Sequence, residues 1–272
     1  MTLLKQLFNF YINSSIHVAL AVYALTWITL LELDLEYNET VLYFVFYATI
    51  TGYNFVKYFG IAKFHHGQLA NWLKLIQILS FFCFLLMCYY GCHLETRTLI
   101  WILGFAVLTF LYAIPLMPKK RNSLRNIGGL KVYIIALVWT GVSVFIPILN
   151  ESYTISTDVV LLGIQRFAYV LVLMLPFEIR DLKFDTKELA TIPQTVGVKG
   201  TKILGVLLIT FFLVLEFFKD ETSVSKITIL LVVSVITIGF VVFSKIEQGK
   251  YYSSFWVEGL PILWLLLVLM FS

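Results

Sequence analysis

Glu178-Ile179-Arg180-Asp181-Leu182-Lys183-Phe184-Asp185 follows without a break on the apolar run Val170 to Phe177. Its three carboxylates stand at i, i+3 and i+7, a spacing that predicts one helical face over about two turns. Acidic groups at the end of a membrane segment are costly and call for a cation. The pattern points to Mg²⁺ and a phosphorylated ligand, because that ion takes one or two carboxylates together with phosphate oxygens.

The remainder of the chain gives the motif its setting. It is 60% hydrophobic, 17% aromatic and only 13% charged. Soluble domains carry close to twice that share of charge, so the composition is that of an integral membrane protein. About nine runs are long enough to span a bilayer: roughly 16–33, 39–62, 71–92, 98–115, 131–149, 158–177, 201–218, 226–244 and 254–271. The loops between them are short, so residues 1–272 read as a single all-α, polytopic membrane domain. Residues 1–15 place Leu3, Leu4, Leu7, Phe8, Tyr11 and Ile12 along one helical face, with Lys5, Gln6, Asn9 and Asn13 opposite. That segment is expected to lie in the membrane interface ahead of the first span.

Basic residues alternate between loops. Lys119, Lys120, Arg121, Arg125 and Lys131 crowd the loop after the fourth run, and Lys63, His65, His66 and Lys74 the loop after the second. Arg180, Lys183, Lys187, Lys199 and Lys202 follow the sixth. The intervening loops are acidic or mixed, with Glu32, Asp34, Glu36 and Glu39 in the first of them. The asymmetry predicts a cytoplasmic N-terminus and puts the loops after runs two, four and six on the cytoplasmic face, most simply of a cell (inner) membrane. A net charge of +4 gives no reason to expect a nucleic-acid partner. Cys83, Cys88 and Cys92 all fall in the third run and are expected to pack rather than to bind metal or pair.

Beyond Asp185 the chain continues Thr186-Lys187-Glu188-Leu189-Ala190-Thr191-Ile192-Pro193-Gln194-Thr195-Val196-Gly197. A segment that leaves the membrane, stays irregular through proline and glycine and re-enters it suits a ligand clamp. The simpler alternative is a solvated helix end whose carboxylates pair with Arg180, Lys183 and Lys187.

The stretch from Glu178 to Gly197 resembles the second aspartate-rich motif of the UbiA superfamily of intramembrane prenyltransferases. There, Asp-x-x-Asp-x-x-x-Asp precedes a Thr-Leu-Pro-x-x-x-Gly-like element, and Glu178 stands where aspartate is commoner. Tyr112-Ala-Ile-Pro115-Leu-Met-Pro118-Lys119-Lys120-Arg121 is similar to the family's tyrosine–proline–basic element after the fourth span. The resemblance implies a ring of about nine helices around a central cavity. It also implies a polyprenyl diphosphate held through Mg²⁺, ionised there, and used to alkylate a lipophilic acceptor. Asp181 and Asp185 would then be catalytic and bind the metal, with Glu178 as a third acidic ligand. Tyr112, Lys119, Lys120 and Arg121 would help to hold the diphosphate.

The second run departs from the family pattern. Aligning its first motif on Asn54 puts Phe55, Tyr58 and Ala62 where aspartates belong. Asn54 alone remains, and Lys57 lies near it, about one turn on. Losing three carboxylates and gaining a lysine shifts this half of the site by about four charges, roughly two divalent ions. Asn54 and Lys57 are accordingly expected to face the diphosphate, with Lys57 opposite the acidic motif. Three readings stay open: a prenyltransferase, a catalytically impaired relative that binds an isoprenoid or assists a membrane partner, and a transporter. Arg166 within the sixth run is expected to pair with Glu216, Glu258 or carbonyls, as intramembrane cations do.

Overall fold

The structure is a computed structural model that describes residues 3–64, 71–114, 129–186, 189–220 and 222–271. Among them every regular element is helical. An amphipathic α1 (Leu3–Asn13) leads into α2 (Ile16–Glu32), α3 (Glu39–Phe64), α4 (Asn71–Gly91) and α5 (Thr96–Ala113). Next come α6 (Leu130–Thr140), a π-helical turn over Gly141–Phe145 and α7 (Ile146–Asn150), which together make one crossing. The remaining helices are α8 (Thr157–Asp181), α9 (Ile192–Leu215), α10 (Val224–Phe243) and α11 (Leu260–Phe271), the last entered through a wide turn at Tyr252–Val257.

A helix occupies each of the nine expected runs. Seven of the crossings are long and apolar enough to span a membrane by themselves. The 17-residue α2 passes only with α1, from which it is bent by 53°. The longer α3 carries Asn54 and Lys57 within its apolar sequence. Interfacial placement of α1 is consistent with its surface: Leu3, Leu4 and Leu7 stay exposed, while Phe8 packs edge-on against Tyr251 and Phe255.

Burial is uneven and decides where a site can lie. The α8 span is 78% buried, whereas α4 and α5 are 17% and 11% buried and present Phe81, Phe82, Trp101 and Leu103 outward. So α8 is the axial helix, packed by α6, α9 and α10. Tyr169 of α8, Phe212 of α9 and Trp264 of α11 meet with ring centroids 5.1–5.6 Å apart at the core. Gly205 lets α9 approach closely: a methyl group there would stand 2.9 Å from Leu175 of α8 and 2.8 Å from Val241 of α10.

Contacts between elements differ at the two ends of the bundle. At one end, Lys219 pairs with Glu216 and Glu32, Asn38 with Glu151, and Asp158 receives the Asp220 amide. At the other end, the start of α6 meets the segment after α8 through a Gly129 N–H to Leu189 carbonyl bond of 2.8 Å. Arg166 pairs with neither carboxylate expected of it. Fully buried, it donates to Thr29 Oγ1 at 3.2 Å and lies 5.0 Å over the Trp264 ring. Its neighbour Gln165 takes Glu216, at 3.1 Å.

Candidate functional site

The acidic motif closes the axial helix. Glu178 lies in the last turn of α8, and Asp181 is its final residue. The three carboxylates therefore do not share one continuous helical face, because Leu182–Phe184 form a turn. Amides of Phe184 and Asp185 both donate to the Asp181 carbonyl, at 2.8 and 2.9 Å, and so bring Asp185 back beside it. The following segment is shorter than its proline and glycines suggested. Helix α9 resumes at Ile192, with Gln194 Oε1 accepting from the Thr191 amide. The Gln194 amide in turn donates to the carbonyls of Asp185 and Thr186. Only Gly197, at φ 73°, interrupts the helix, in a conformation that favours glycine.

The cation that meets this motif is Lys131, in the first turn of α6. Its Nζ is 2.9 Å from Glu178 Oε1 and 4.0 Å from Asp181 Oδ2. Arg180 takes the other side of Asp181, with Nε to Oδ1 at 2.7 Å and Nη2 to Oδ2 at 3.2 Å. The Glu178 side chain is 3% exposed and the Lys131 side chain 21%, so the pair is inward-facing. A lysine in a first helical turn opposes the helix dipole and needs such acidic company. The sequence showed Lys131 only as one charge of a basic loop. Its opposition to Glu178 arises from the packing of α6 against α8.

Lys57 is placed otherwise than on the acidic motif. Its Nζ donates to Ser15 Oγ at 3.0 Å and lies 5.9 Å from the Tyr53 ring centroid. Asn54 is buried and engaged: its amide donates to the Ser14 carbonyl at 3.0 Å and to Ser80 Oγ at 2.8 Å, and its carbonyl accepts from Ser15 Oγ at 2.8 Å. These bonds fix the bend between α1 and α2, where Ser15 adopts a left-handed φ of 64°. Two of the positions aligned with missing aspartates, Phe55 and Tyr58, serve packing. Phe55 stacks on Phe110 of α5 with centroids 6.0 Å apart, and the Tyr58 hydroxyl donates to the Asn13 carbonyl.

Glu258 is the group that the sequence did not connect to this end. It sits just before α11, within electrostatic range of Lys57 and Arg180 and of Tyr11 and Tyr53. Tyr112 is buried near Tyr53, and the Trp139 indole donates to the Tyr53 hydroxyl at 2.7 Å, so three aromatic groups gather here. Lys119, Lys120 and Arg121, like His65, His66 and Lys187, lie outside the described residues.

Whether the arrangement suits a metal can be judged from its donors. Among the described residues no three histidine, cysteine or acidic side chains gather into a metal-binding group. Glu178, expected as a third ligand, is engaged by Lys131. Asp181 and Asp185 are the two carboxylates that a Mg²⁺ shared with substrate phosphates would take. The residues thus fit a metal that arrives with phosphate oxygens, and do not form a complete cage.

Comparison with known proteins supplies the class of fold. No protein-family profile and no curated protein sequence matches the chain. A solved digeranylgeranylglyceryl phosphate synthase, a membrane enzyme, superposes over 98% of this chain and 96% of its own, with a TM-score of 0.56 and 16% identity. The chain has the fold of a UbiA-type intramembrane prenyltransferase and is an integral, multi-pass membrane protein.

Proposed function

We propose that this protein is a membrane prenyltransferase that binds a polyprenyl diphosphate at the α8 end and transfers the prenyl group to a lipophilic acceptor. The observation that carries the reading is the convergence of Asp181, Asp185, Arg180 and Lys131 at the mouth of the axial helix, in a fold shared along its length with a prenyl-transferring synthase. In this reading Asp181 and Asp185 hold a Mg²⁺, which when bound neutralises charge on the departing diphosphate. Arg180 and Lys131 direct N–H donors at phosphate oxygens, which form stronger bonds with charged donors. Lys119, Lys120 and Arg121, between α5 and α6 in the sequence, would add cations. Tyr53, Tyr112 and Trp139 present π-faces on which an allylic cation is stabilised while water is excluded. The prenyl chain and the acceptor enter from the bilayer. The basic loops put this end in the cytoplasm, with the N-terminus, in a cell (inner) membrane.

A second reading is favoured by one specific observation. Asn54, Phe55 and Tyr58 are used in packing and bend-fixing, so half of the family's metal-binding apparatus is replaced by structure. A catalytically impaired relative that still binds an isoprenoid would look this way. The experiment is binding of geranylgeranyl diphosphate to the detergent-purified chain with and without Mg²⁺, for wild type and an Asp181→Ala, Asp185→Ala variant, followed by an acceptor screen. Metal- and aspartate-dependent binding with transfer supports the enzyme. Binding without transfer to any acceptor supports the impaired relative, and absence of binding rejects both.

A further inference from the structure

Lys131 lies directly against the acidic motif. The motif contributes three carboxylates, Glu178, Asp181 and Asp185, and two cations already face it, Lys131 and Arg180. Among the described residues these two cations therefore offset much of the motif's negative charge before any ligand arrives. An ammonium 2.9 Å from Glu178 and 4.0 Å from Asp181 offers the same electrostatic service as a metal but holds its place covalently, through α6. That place is fixed from the backbone. Gly129, at φ 71°, donates its N–H to Leu189 and so ties the first turn of α6 to the strap beyond the motif. A free Mg²⁺ would have to displace this fixed cation and give up tightly held water in order to reach a pair of aspartates.

We propose that Lys131 is a built-in counter-cation that excludes a free divalent ion from the acidic motif and admits one only together with a diphosphate. The exchange re-pairs the charges of the motif. An incoming diphosphate gives Lys131 and Arg180 new anionic partners, and the ion that it carries takes over the carboxylates which those side chains release. Metal and diphosphate then bind with positive coupling, each raising the affinity for the other by one and the same factor. This deepens the functional reading above and rests on it for the identity of the anion.

The test uses the full chain in detergent, with Mn²⁺ as an EPR-visible probe, alone and with inorganic diphosphate. Wild type is expected to bind Mn²⁺ weakly alone and at least about tenfold more tightly with diphosphate. Lys131→Met is expected to tighten binding of Mn²⁺ alone by about tenfold or more and to shrink the diphosphate effect. Because Lys131→Met strands a buried carboxylate, the double variant Lys131→Met, Glu178→Gln serves beside it. It retains the net charge and removes the stranded group, and it too is expected to bind Mn²⁺ alone more tightly than wild type. Equal affinity of wild type and the double variant for Mn²⁺ alone would overturn the proposal. Tighter binding in the variants, with no effect of diphosphate on wild type, would uphold exclusion by Lys131 and overturn the diphosphate reading.

Discussion

Lys131 Nζ and Glu178 Oε1 are 2.9 Å apart, across the contact between α6 and the last turn of the axial helix α8. The carboxylate is almost wholly buried and the ammonium mostly so, which makes the pair sensitive to loss of either member. Removing one partner of such a pair leaves the other as an uncompensated buried charge, at about 3–5 kcal/mol for fully buried cases. Lys131→Met is therefore expected to lower stability by about 2–4 kcal/mol. Lys131→Met combined with Glu178→Gln should recover most of that loss. Thermal unfolding in detergent with tryptophan fluorescence reads both, and a double variant as unstable as the single one would contradict the pairing.

Arg166 gives the opposite expectation. It is fully buried, yet its Nε and Nη1 have no protein partner among the described residues, and its contacts are one Thr29 hydroxyl and the Trp264 face. A buried cation with this little compensation adds little net stability, and apolar groups of similar volume often do as well or better. Arg166→Met should leave the unfolding midpoint unchanged or raise it. A fall of several degrees would mean that Arg166 is held by more than these contacts.

Asn54 makes three hydrogen bonds, of which two lock the α1–α2 bend at Ser14 and Ser15 and one reaches Ser80 of α4. Asn54→Ala strands the buried Ser14 carbonyl and the buried Ser15 hydroxyl, at about 1–3 kcal/mol. The change should also free α1. Limited proteolysis within residues 3–13 and a lower unfolding midpoint are the expected signatures, while Mn²⁺ binding at the acidic motif stays as in wild type. A loss of diphosphate affinity with unchanged stability would return Asn54 to a ligand-binding role.

Gly205 sits where a methyl group would press on Leu175 and Val241 at under 3 Å. Both neighbours are core side chains of adjacent helices, so Gly205→Ala must part α9 from α8 and α10, at a cost of about 1–3 kcal/mol. Gly104→Ala is the matched control, since a methyl group there meets nothing within 4 Å. Comparable unfolding midpoints for the two variants would argue against the close packing at Gly205.

The family resemblance rested on the segment 178–197, and the fold agrees with it along the chain. That segment was legible because its message is local: an acidic triplet, a Thr-x-Pro and a glycine after an apolar run, each a consequence of covalent order. The degenerate first motif was equally legible as a departure. Its meaning was not, because Asn54 and Lys57 could face a ligand or a protein partner with the same sequence. They face the bend at Ser14 and Ser15, which lies some forty residues away along the chain. Glu258 was weighed only as a partner for Arg166 for a related reason, since it belongs to the last span while its charged neighbours, Lys57 and Arg180, lie on α3 and at the end of α8.

Apolar run lengths determined by themselves that the chain crosses a membrane repeatedly, because hydrophobic burial acts on composition alone. The tertiary structure decided which charge answers which. Lys131 and Glu178 are 47 residues apart and meet only because α6 packs against α8. A short-range interaction in a low-dielectric interior depends on a few ångströms of placement. No one-dimensional spacing carries that information.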